Sequence, residues 1–326
     1  GVARTEFMTE ERIVALAGGV GGAKLAHGLA LARPEAVLTV VVNTADDFSL
    51  FGLHISPDLD TVMYTLGGIA NPQTGWGIAG DTAAALEMIG RYGRDTWFWL
   101  GDRDLATHIL RTERLRAGDS LTTVTAELAG ALGIRAAILP MCDEPVATIV
   151  ETPDGDLAFQ DYFVRRRQAD EVRGVRFEGI EAATMPDGVA AALREAAVVV
   201  LCPSNPIVSI GPILAIPGFR DLLREVAAPV VAVSPIVGGA ALKGPADRML
   251  ASLGHEVSAA GVAALYRDFL NGIVIDQVDA ALAGRIEEMG IAVHVTDTVM
   301  RDEAHRRALA DETLAFAARL GSRART

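Results

Sequence analysis

Four aspartates occur close together early in the chain, in a pattern that could bind a metal ion beside a phosphorylated ligand. Asp46 and Asp47 follow the apolar run 37–42 (VLTVVV) in the sequence NTADD, and Asp58 and Asp60 come soon after in SPDLDT. Acids that directly follow a buried strand lie at the carboxyl edge of a parallel sheet, where such sheets bind ligands. Carboxylate oxygens are the ligands that Mg²⁺ prefers. The four aspartates therefore favour a Mg²⁺ site.

A second interpretation of Asp58 stays open. Ser56 and Pro57 are typical of the N-cap and the first position of a helix, which places Asp58 and Asp60 in its first turn. Acids in a first turn often do no more than complement the helix dipole. That explains Asp58 taken alone, but it does not explain the two acids that follow the preceding strand.

A glycine-rich segment, GGVGGAK (residues 18–24), follows the β-prone run 12–17 (RIVALA). Glycines at a strand-to-helix turn let the backbone approach a phosphate, and the helix N-terminus favours an anion there. Leu25 follows Lys24 where a Walker loop has Ser or Thr, and Lys24 stands where a dinucleotide fingerprint has its third glycine. The alternative is a tight turn that needs positive φ. The four glycines are Gly18, Gly19, Gly21 and Gly22.

The segment LGDRDLATH (residues 100–108) combines acids, a cation and an imidazole at the start of a predicted helix. Arg103, between Asp102 and Asp104, could form a bidentate contact with a phosphate or a carboxylate. His108 follows just over one helical turn later. The alternative is a helix cap that neutralises itself, with His108 simply packed.

Stiff polar loops follow two late strands. In PSNPIVSIGP (residues 203–212), Ser204 and Asn205 lie between prolines that restrict the backbone, which suits recognition of a base or a phosphate. An ordinary turn is the alternative. The segment SPIVGGAALKGPAD (residues 234–247) is a second such loop, and it offers Lys243.

The sequence lacks the residue patterns that several other kinds of site require. Cys142 and Cys202 have neither CxxC spacing nor a basic neighbour, so a disulfide framework, a zinc site and a cysteine nucleophile are not indicated. The six histidines form no HxxxH or HExxH pair. In-line transfer at a phosphoryl centre needs only positioning and charge neutralisation, and the residues described above suit it.

Short apolar strands that alternate with helices predict a parallel sheet covered on both faces. The predicted strands are 12–17, 37–42, 197–202, 229–233, 272–275 and 292–295, and the later helices are 211–226, 245–253, 257–270, 277–289 and 303–320. Residues 57–135 are predicted to be mostly helical, with Ser56, Asp81 and Ser120 as N-caps, and 146–164 as a hairpin with PDGD as its turn. We therefore predict a Rossmann-like core from 8–52 and 186–326, with 53–185 as a helical and hairpin insertion over the carboxyl edge. Residues 1–7 precede Met8, and we expect them to be a cloning remnant.

Composition limits the partners. The net charge of −13 argues against non-specific nucleic-acid binding, which needs clustered Lys and Arg. No apolar run approaches the roughly 20 residues of a membrane helix. We expect a soluble cytoplasmic protein that acts on small molecules, with no nucleic-acid or membrane partner.

Taken together, the motifs resemble those of the 2-phospho-L-lactate transferases of coenzyme F420 biosynthesis, in the same order. The resemblance extends from about residue 13 to residue 316. The motifs that carry it are GGVGGAK, VVNTADD, ISPDLDTVMYTLGG, LGDRDLATHI, LPMCDEPV, FQDYFV, PSNPIVSIGPILAIPG and SPIVGG.

The resemblance implies a Mg²⁺-dependent transferase, usually a homodimer. The implied donor is a guanosine diphosphate ester of lactate, enolpyruvate or 3-phosphoglycerate, and the implied acceptor is the ribityl hydroxyl of Fo, the 5-deazariboflavin chromophore. By motif, the glycine loop with Lys24 and the pair Ser204 and Asn205 would hold the nucleotide. Asp46 and Asp60 would bind the metal and activate the hydroxyl. The residues expected near Fo are Asp58, Asp60, Thr61, Arg103 and His108.

Two other functions are alternatives to the transferase. A sister family with a similar glycine-rich start consists of non-catalytic regulators that bind nucleotide sugars, but these are expected to lack PDLDT and LGDRDLATH. An NAD-linked dehydrogenase is disfavoured by Lys24 in the fingerprint. Binding of fluorescent Fo discriminates the transferase from the regulator.

Overall fold

The computed structural model describes residues 10–323, so the segment 1–7 that we set apart from the sequence lies outside the described part. Within it the chain forms fourteen strands: β1 (Arg12–Ala17), β2 (Val37–Val42), β3 (Phe48–Leu50), β4 (Leu53–Ile55), β5 (Ala137–Pro140), β6 (Ala147–Thr152), β7 (Gly155–Ala158), β8 (Gly174–Glu178), β9 (Val198–Leu201), β10 (Val230–Val233), β11 (Ile236–Val237), β12 (Ala240–Ala241), β13 (Gly272–Asp276) and β14 (Ala292–Thr296). The α-helices of the same part are α1 (Gly19–Ala32), α2 (Pro57–Leu66), α3 (Ala84–Arg91), α4 (Asp102–Arg116), α5 (Leu121–Ala131), α6 (Asp187–Glu195), α7 (Ile210–Ala215), α8 (Phe219–Glu225), α9 (Ala246–Ser252), α10 (Ala259–Leu265), α11 (Ala283–Glu287) and α12 (Glu303–Arg323).

Seven strands build a central parallel sheet in the order β14-β13-β10-β9-β1-β2-β5, which confirms the predicted α/β fold. β1 lies between β2 and β9, and it pairs in parallel with both. The chain leaves β1 toward one side of the sheet and later returns to its other side. Sheets of this kind bind ligands in a crevice at the point where the strand order reverses, which here is at the loops that follow β1 and β9.

The sheet separates two hydrophobic cores, because alternate side chains of each strand face opposite sides. From β1, Ile13, Ala15 and Ala17 pack with α1, α2 and α12 on one face. Val14 and Leu16 pack on the other face, in the core that α6 to α11 cover. Helices on both faces explain why the strands read as continuous apolar runs rather than as alternating patterns.

Three small antiparallel sheets lie outside the central one. β6 pairs with β7 and β8 in a three-stranded sheet, and β3–β4 and β11–β12 form hairpins. The hairpin predicted within 146–164 is therefore confirmed, and β8 is a third strand that we did not predict. None of the helices within residues 10–323 has the length and apolar character needed to cross a membrane.

The structure corrects several predicted elements. β5 pairs in parallel with β2 in the central sheet, although it lies within the segment 53–185 that we assigned to the insertion. The single helix predicted at 211–226 is two helices, because Gly218 adopts φ 82° between them. The helix predicted at 257–270 is limited to α10, and the one predicted at 277–289 begins as a 3₁₀ helix before α11.

Only one of the three predicted N-caps caps its own helix. The Ser120 hydroxyl accepts from the backbone N–H of Thr123, as expected. Ser56 instead donates to Asp47 Oδ2. Asp81 accepts from the backbone N–H groups of Arg103 and Asp104, so it caps α4 from a distance.

Candidate active site

The glycine loop (residues 18–22) and the loop after β9 are in direct contact at the point where the strand order reverses. The backbone N–H of Gly18 donates to Ser204 Oγ at 3.2 Å. A Cβ at Gly22 would lie 2.5 Å from the same Oγ, and one at Gly21 would lie closer than 3.0 Å to the backbone carbonyl oxygen of Pro203. Gly21 and Gly22 are therefore needed for contact between the two loops, whatever they do for a phosphate.

Ser204 and Asn205, which the sequence pairs, have different surroundings. Ser204 is buried against the glycine loop. The Asn205 side-chain oxygen accepts from the backbone N–H groups of Ile207 and Val208 at 2.9 and 3.3 Å. Such a bond pattern stabilises a turn, so Asn205 shapes the loop and Ser204 contacts the glycine loop.

An acid centre, defined as Asn43, Asp46, Asp47 and Asp58, lies at the carboxyl end of β2. Asn43 is fully buried, and its Nδ2 donates to Asp46 Oδ2 and to Asp58 Oδ2, each at 3.0 Å. The centre adjoins the glycine loop, because a Cβ at Gly18 would lie 2.9 Å from Asp58 Oδ2. The structure therefore brings together Asp46, Asp58 and the start of α1.

The surroundings of the acid centre disfavour the charged forms of both Asp46 and Asp58. Burial raises the pKa of Asp58 to about 6, although the Asn43 amide opposes this. Burial and the neighbouring Asp58 raise the pKa of Asp46 well above its ordinary value. Asp46 Oδ1 and Asp47 Oδ1 are buried without a hydrogen-bond partner. Crowded carboxylates with unpartnered oxygens are the donor set that a hard divalent cation would satisfy, so these residues fit Mg²⁺.

Asp60 lies in a different cluster, although it is only two residues from Asp58. Arg111, of which 1% is exposed, donates from its two terminal nitrogens to the two carboxylate oxygens of Asp60. His108 Nδ1 lies 3.6 Å from Asp60 Oδ2, and His108 Nε2 lies 3.2 Å from Asp104 Oδ2. The Tyr64 hydroxyl contacts Asp104 Oδ1 at 2.6 Å. Of the pair that we assigned to the metal, Asp60 thus already has a guanidinium partner, whereas Asp46 accepts from the Asn43 amide.

This Asp60 cluster could also be considered for a metal. Ligand atoms of Asp60, Asp104 and His108 all lie within 4.8 Å of one another. The Arg111 guanidinium already supplies a positive charge at that place, so a divalent cation fits the acid centre better.

Arg111 was missed by sequence reasoning. Asp104, His108 and Arg111 are spaced four and three residues apart, so they share one face of α4. The sequence signal that could have identified Arg111 is this spacing, which aligns an acid, an imidazole and a guanidinium on one helical face.

The other residues expected near the acceptor lie on α2 and α4. Thr61 is buried on α2. Arg103 is exposed at the start of α4, where its backbone N–H donates to Asp81. Lys24 is partly buried on α1, and its Nζ donates to the Met300 carbonyl oxygen at 3.5 Å.

Comparison with known proteins identifies the family. The sequence profile described as 2-phospho-L-lactate transferase CofD matches residues 13–314. A phosphoenolpyruvate transferase from Streptomyces griseus is 45% identical over 94% of this chain and 98% of its own. A 2-phospho-L-lactate transferase from Methanosarcina mazei is 42% identical over 92% of this chain and 98% of its own.

Solved structures support the fold alone. A member of the UPF0052 family from Bacillus halodurans superposes with a TM-score of 0.63 at 14% identity, and the match covers 94% of this chain and 99% of that one. The family assignment rests instead on the profile match and on the two similar transferases. Together with the motifs that line the crevice, they confirm the resemblance seen in the sequence, and the chain belongs to the 2-phospho-L-lactate transferase CofD family.

Proposed function

We propose that this protein transfers a phospho-carboxylate group from a guanosine diphosphate ester to the ribityl hydroxyl of Fo, with release of GMP, in coenzyme F420 biosynthesis. The observation that carries the proposal is the position of the acid centre beside the glycine loop, at the crevice where the strand order reverses. A phosphate at the start of α1 would then lie next to the carboxylates that fit Mg²⁺.

Donor binding is assigned to the two loops of the crevice. Backbone N–H groups at the start of α1 and the Ser204 hydroxyl would hold the diphosphate. Lys24 adds a positive charge on the same helix. Ser204 is already positioned by its hydrogen bond from Gly18, so the donor site would need little rearrangement.

Asp46 and Asp58 are the proposed Mg²⁺ ligands. This revises the pairing of Asp46 with Asp60, because both oxygens of Asp60 accept from Arg111. Mg²⁺ bound there would supply positive charge beside the phosphoryl oxygens.

The transfer itself is an in-line displacement. The ribityl oxygen forms a bond to the phosphorus that carries the carboxylate group, and the bond from that phosphorus to the bridging oxygen of GMP breaks. The hydroxyl proton passes to a carboxylate of the acid centre, which acts as the general base.

The acceptor is proposed to lie against α2 and α4. Thr61 and the Asp60 cluster line this side, and Arg103 lies at the start of α4. Arg111 holds Asp60 in place there. We also propose that the enzyme is a cytoplasmic homodimer, which light scattering after size exclusion would test.

The carboxylate group of the donor follows from the relatives only as a class. Relatives of similar identity are named for phosphoenolpyruvate and for 2-phospho-L-lactate. We therefore propose a donor that carries enolpyruvate, lactate or the related glycerate.

GMP release tests the proposal. Each donor ester is incubated with the protein and Mg²⁺, with and without Fo, and GMP is measured by liquid chromatography. We expect release that depends on Fo. Calorimetry should also show tighter binding of GDP than of ADP, since a site built for one base leaves polar groups unpaired with the other. GMP release at the same rate without Fo would contradict the proposal.

A further inference from the structure

The two lysines of this chain lie at one place in the fold. Of 29 Lys and Arg residues, only Lys24 and Lys243 are lysines. Lys243 Nζ donates to the Thr74 carbonyl oxygen at 3.0 Å. The next residue, Gly75, packs against Val20, since a Cβ at Gly75 would lie 2.5 Å from Val20 Cγ1. Val20 and Lys24 are one helical turn apart on α1, so the loop that carries Lys243 reaches the face of α1 that carries Lys24.

Arg306 adds a third cation on the same face. Gly28, one turn beyond Lys24, packs directly on the Arg306 backbone carbonyl oxygen. Arg306 Nη1 lies 3.1 Å from His27 Nδ1, and its Nε is buried without a hydrogen-bond partner. Lys24, Lys243 and Arg306 are called the cation cluster below.

The cation cluster is not neutralised by direct ion pairs. Over residues 10–323, no carboxylate oxygen lies within 4.0 Å of the side-chain nitrogens of these three residues. Many arginines elsewhere are paired, as Arg114 is with Asp119 and Glu127. Burial lowers the pKa of Lys24, and the charges of Lys243 and Arg306 lower it further, so both cations lie near Lys24. Burial also lowers the pKa of Arg306, although Glu303 and Asp302 oppose this. In a chain of net charge −13, such a cluster needs a reason.

We propose that the cation cluster binds a diphosphate group, which is the phosphoanhydride of the donor nucleotide. The inference rests on the proposed function, and it assigns Lys243 and Arg306 to the donor site. Lys24 is on α1 immediately after the glycine loop, so an anion at the start of this helix is within the field of the cluster. Lys243 reaches it from the loop between β12 and α9.

The use of lysine fits this role. An ammonium group is a compact point charge with three donors that turn freely, and it binds phosphates without a fixed approach direction. Lys24 and Lys243 each donate here to a backbone carbonyl oxygen, which leaves further donors for an anion.

The two lysines also allow a direct test. Biosynthetic incorporation of lysine labelled with ¹³C at its ε carbon marks both side chains without changing their N–H donors, and single-lysine variants assign the two side-chain NMR signals. The labelled protein is titrated with inorganic pyrophosphate, GDP and GMP. We expect both signals to move with GDP and with pyrophosphate, and to move less with GMP. Signals that stay unchanged while calorimetry shows GDP binding would overturn the proposal. Signals that respond to pyrophosphate but not to GDP would overturn its assignment to the donor nucleotide.

Substitutions of the exposed Lys243 test how much this side chain contributes to GDP affinity. Lys243→Gln should weaken GDP binding by about ten-fold, as expected for a lost charge-assisted hydrogen bond. Lys243→Arg should keep the affinity within a few-fold. The control is Arg12→Gln, which removes the same charge at the opposite end of β1 and should leave GDP affinity unchanged.

The outcomes separate this inference from the proposed function. If both lysine signals respond to GDP but no Fo-dependent transfer occurs, the diphosphate site stands and the proposed reaction fails. If transfer occurs and Lys243→Gln binds GDP as wild type does, the reaction stands and the assignment of Lys243 is wrong.

Discussion

Asp46 Oδ2 and Asp58 Oδ2 accept hydrogen bonds from the same nitrogen, Asn43 Nδ2, at 3.0 Å each. One buried amide thus holds two carboxylates that would otherwise repel each other. Burial raises the pKa of both acids, so the arrangement weakens the fold in return for a concentrated negative site. Sites of this kind are typical of function rather than stability.

Asp58→Asn should therefore separate stability from activity. The amide keeps the shape of the side chain and removes one buried like charge, so in excess chelator the thermal unfolding midpoint should rise. Turnover should fall by about 100-fold or more, since a proposed Mg²⁺ ligand is lost. Calorimetry and GMP release measure the two effects. Asp156→Asn, at an exposed hairpin position, is the control, and turnover of Asp58→Asn within a few-fold of wild type would refute the role of Asp58.

The buried Asp60–Arg111 pair predicts strong non-additivity. Arg111→Met leaves the Asp60 carboxylate buried and unpaired, which should lower the free energy of unfolding by about 3–5 kcal/mol. Adding Asp60→Asn should recover much of this loss, because the unpaired charge is gone. Urea unfolding of the single and double variants measures the coupling. Additive losses would show that the two side chains do not depend on each other.

The same pair affects how Asp60→Asn is interpreted. From the sequence, we expect this substitution to remove turnover and leave the fold intact. The structure predicts that it also leaves Arg111 without its carboxylate, so the unfolding free energy has to be measured beside the rate.

Gly21→Ala tests the contact between the two loops. The new methyl group would collide with the Pro203 backbone carbonyl, which cannot move away as a flexible side chain could. We expect a loss of about 1–3 kcal/mol in unfolding free energy, together with weaker GDP binding. The matched control is Gly130→Ala on the exposed face of α5, where no atom lies within 4 Å of the new methyl group. That variant should gain about 0.5–1 kcal/mol. Equal behaviour of the two variants would contradict close packing of the loops.

Binding of Fo should depend on the nucleotide. If donor and acceptor meet between the sheet edge and the helices α2 and α4, GDP with Mg²⁺ should tighten Fo binding, by about ten-fold. Closure by Fo would also exclude water from the phosphoryl centre. Fluorescence titration of Fo with and without GDP and Mg²⁺ measures this. The same affinity in both conditions would remove the support for a shared closed site.

The sequence predicted the parts of this molecule where local pattern and tertiary structure agree. β1 and β2 are continuous apolar runs with clear ends, and both were predicted with their observed bounds. β5 was missed because only four residues of a largely helical segment form it. The helix break at Gly218 was present as a Pro-Gly pair, a turn signal that the apolar pattern on either side obscured.

Part of the candidate site could likewise be predicted from the sequence, and part could not. Glycines and clustered aspartates carry a chemical signature in sequence, and the structure brings Gly18, Asp46 and Asp58 together. Their partners could not be predicted in the same way, because Asn43 and Arg111 acquire their roles from residues that only the fold places beside them. Proximity in sequence also misled, since Asp58 and Asp60 are two residues apart and face different clusters.

The central claim is transfer to Fo, and the mass of the product tests it most directly. Purified protein is incubated with Fo, Mg²⁺ and each guanosine diphosphate ester in turn, and the products are analysed by liquid chromatography and mass spectrometry. The account predicts a new deazaflavin whose mass equals Fo plus the phospho-carboxylate group of one donor, formed in equal amount with GMP. Unchanged Fo with every donor, in the presence of Mg²⁺ and folded protein, would contradict it.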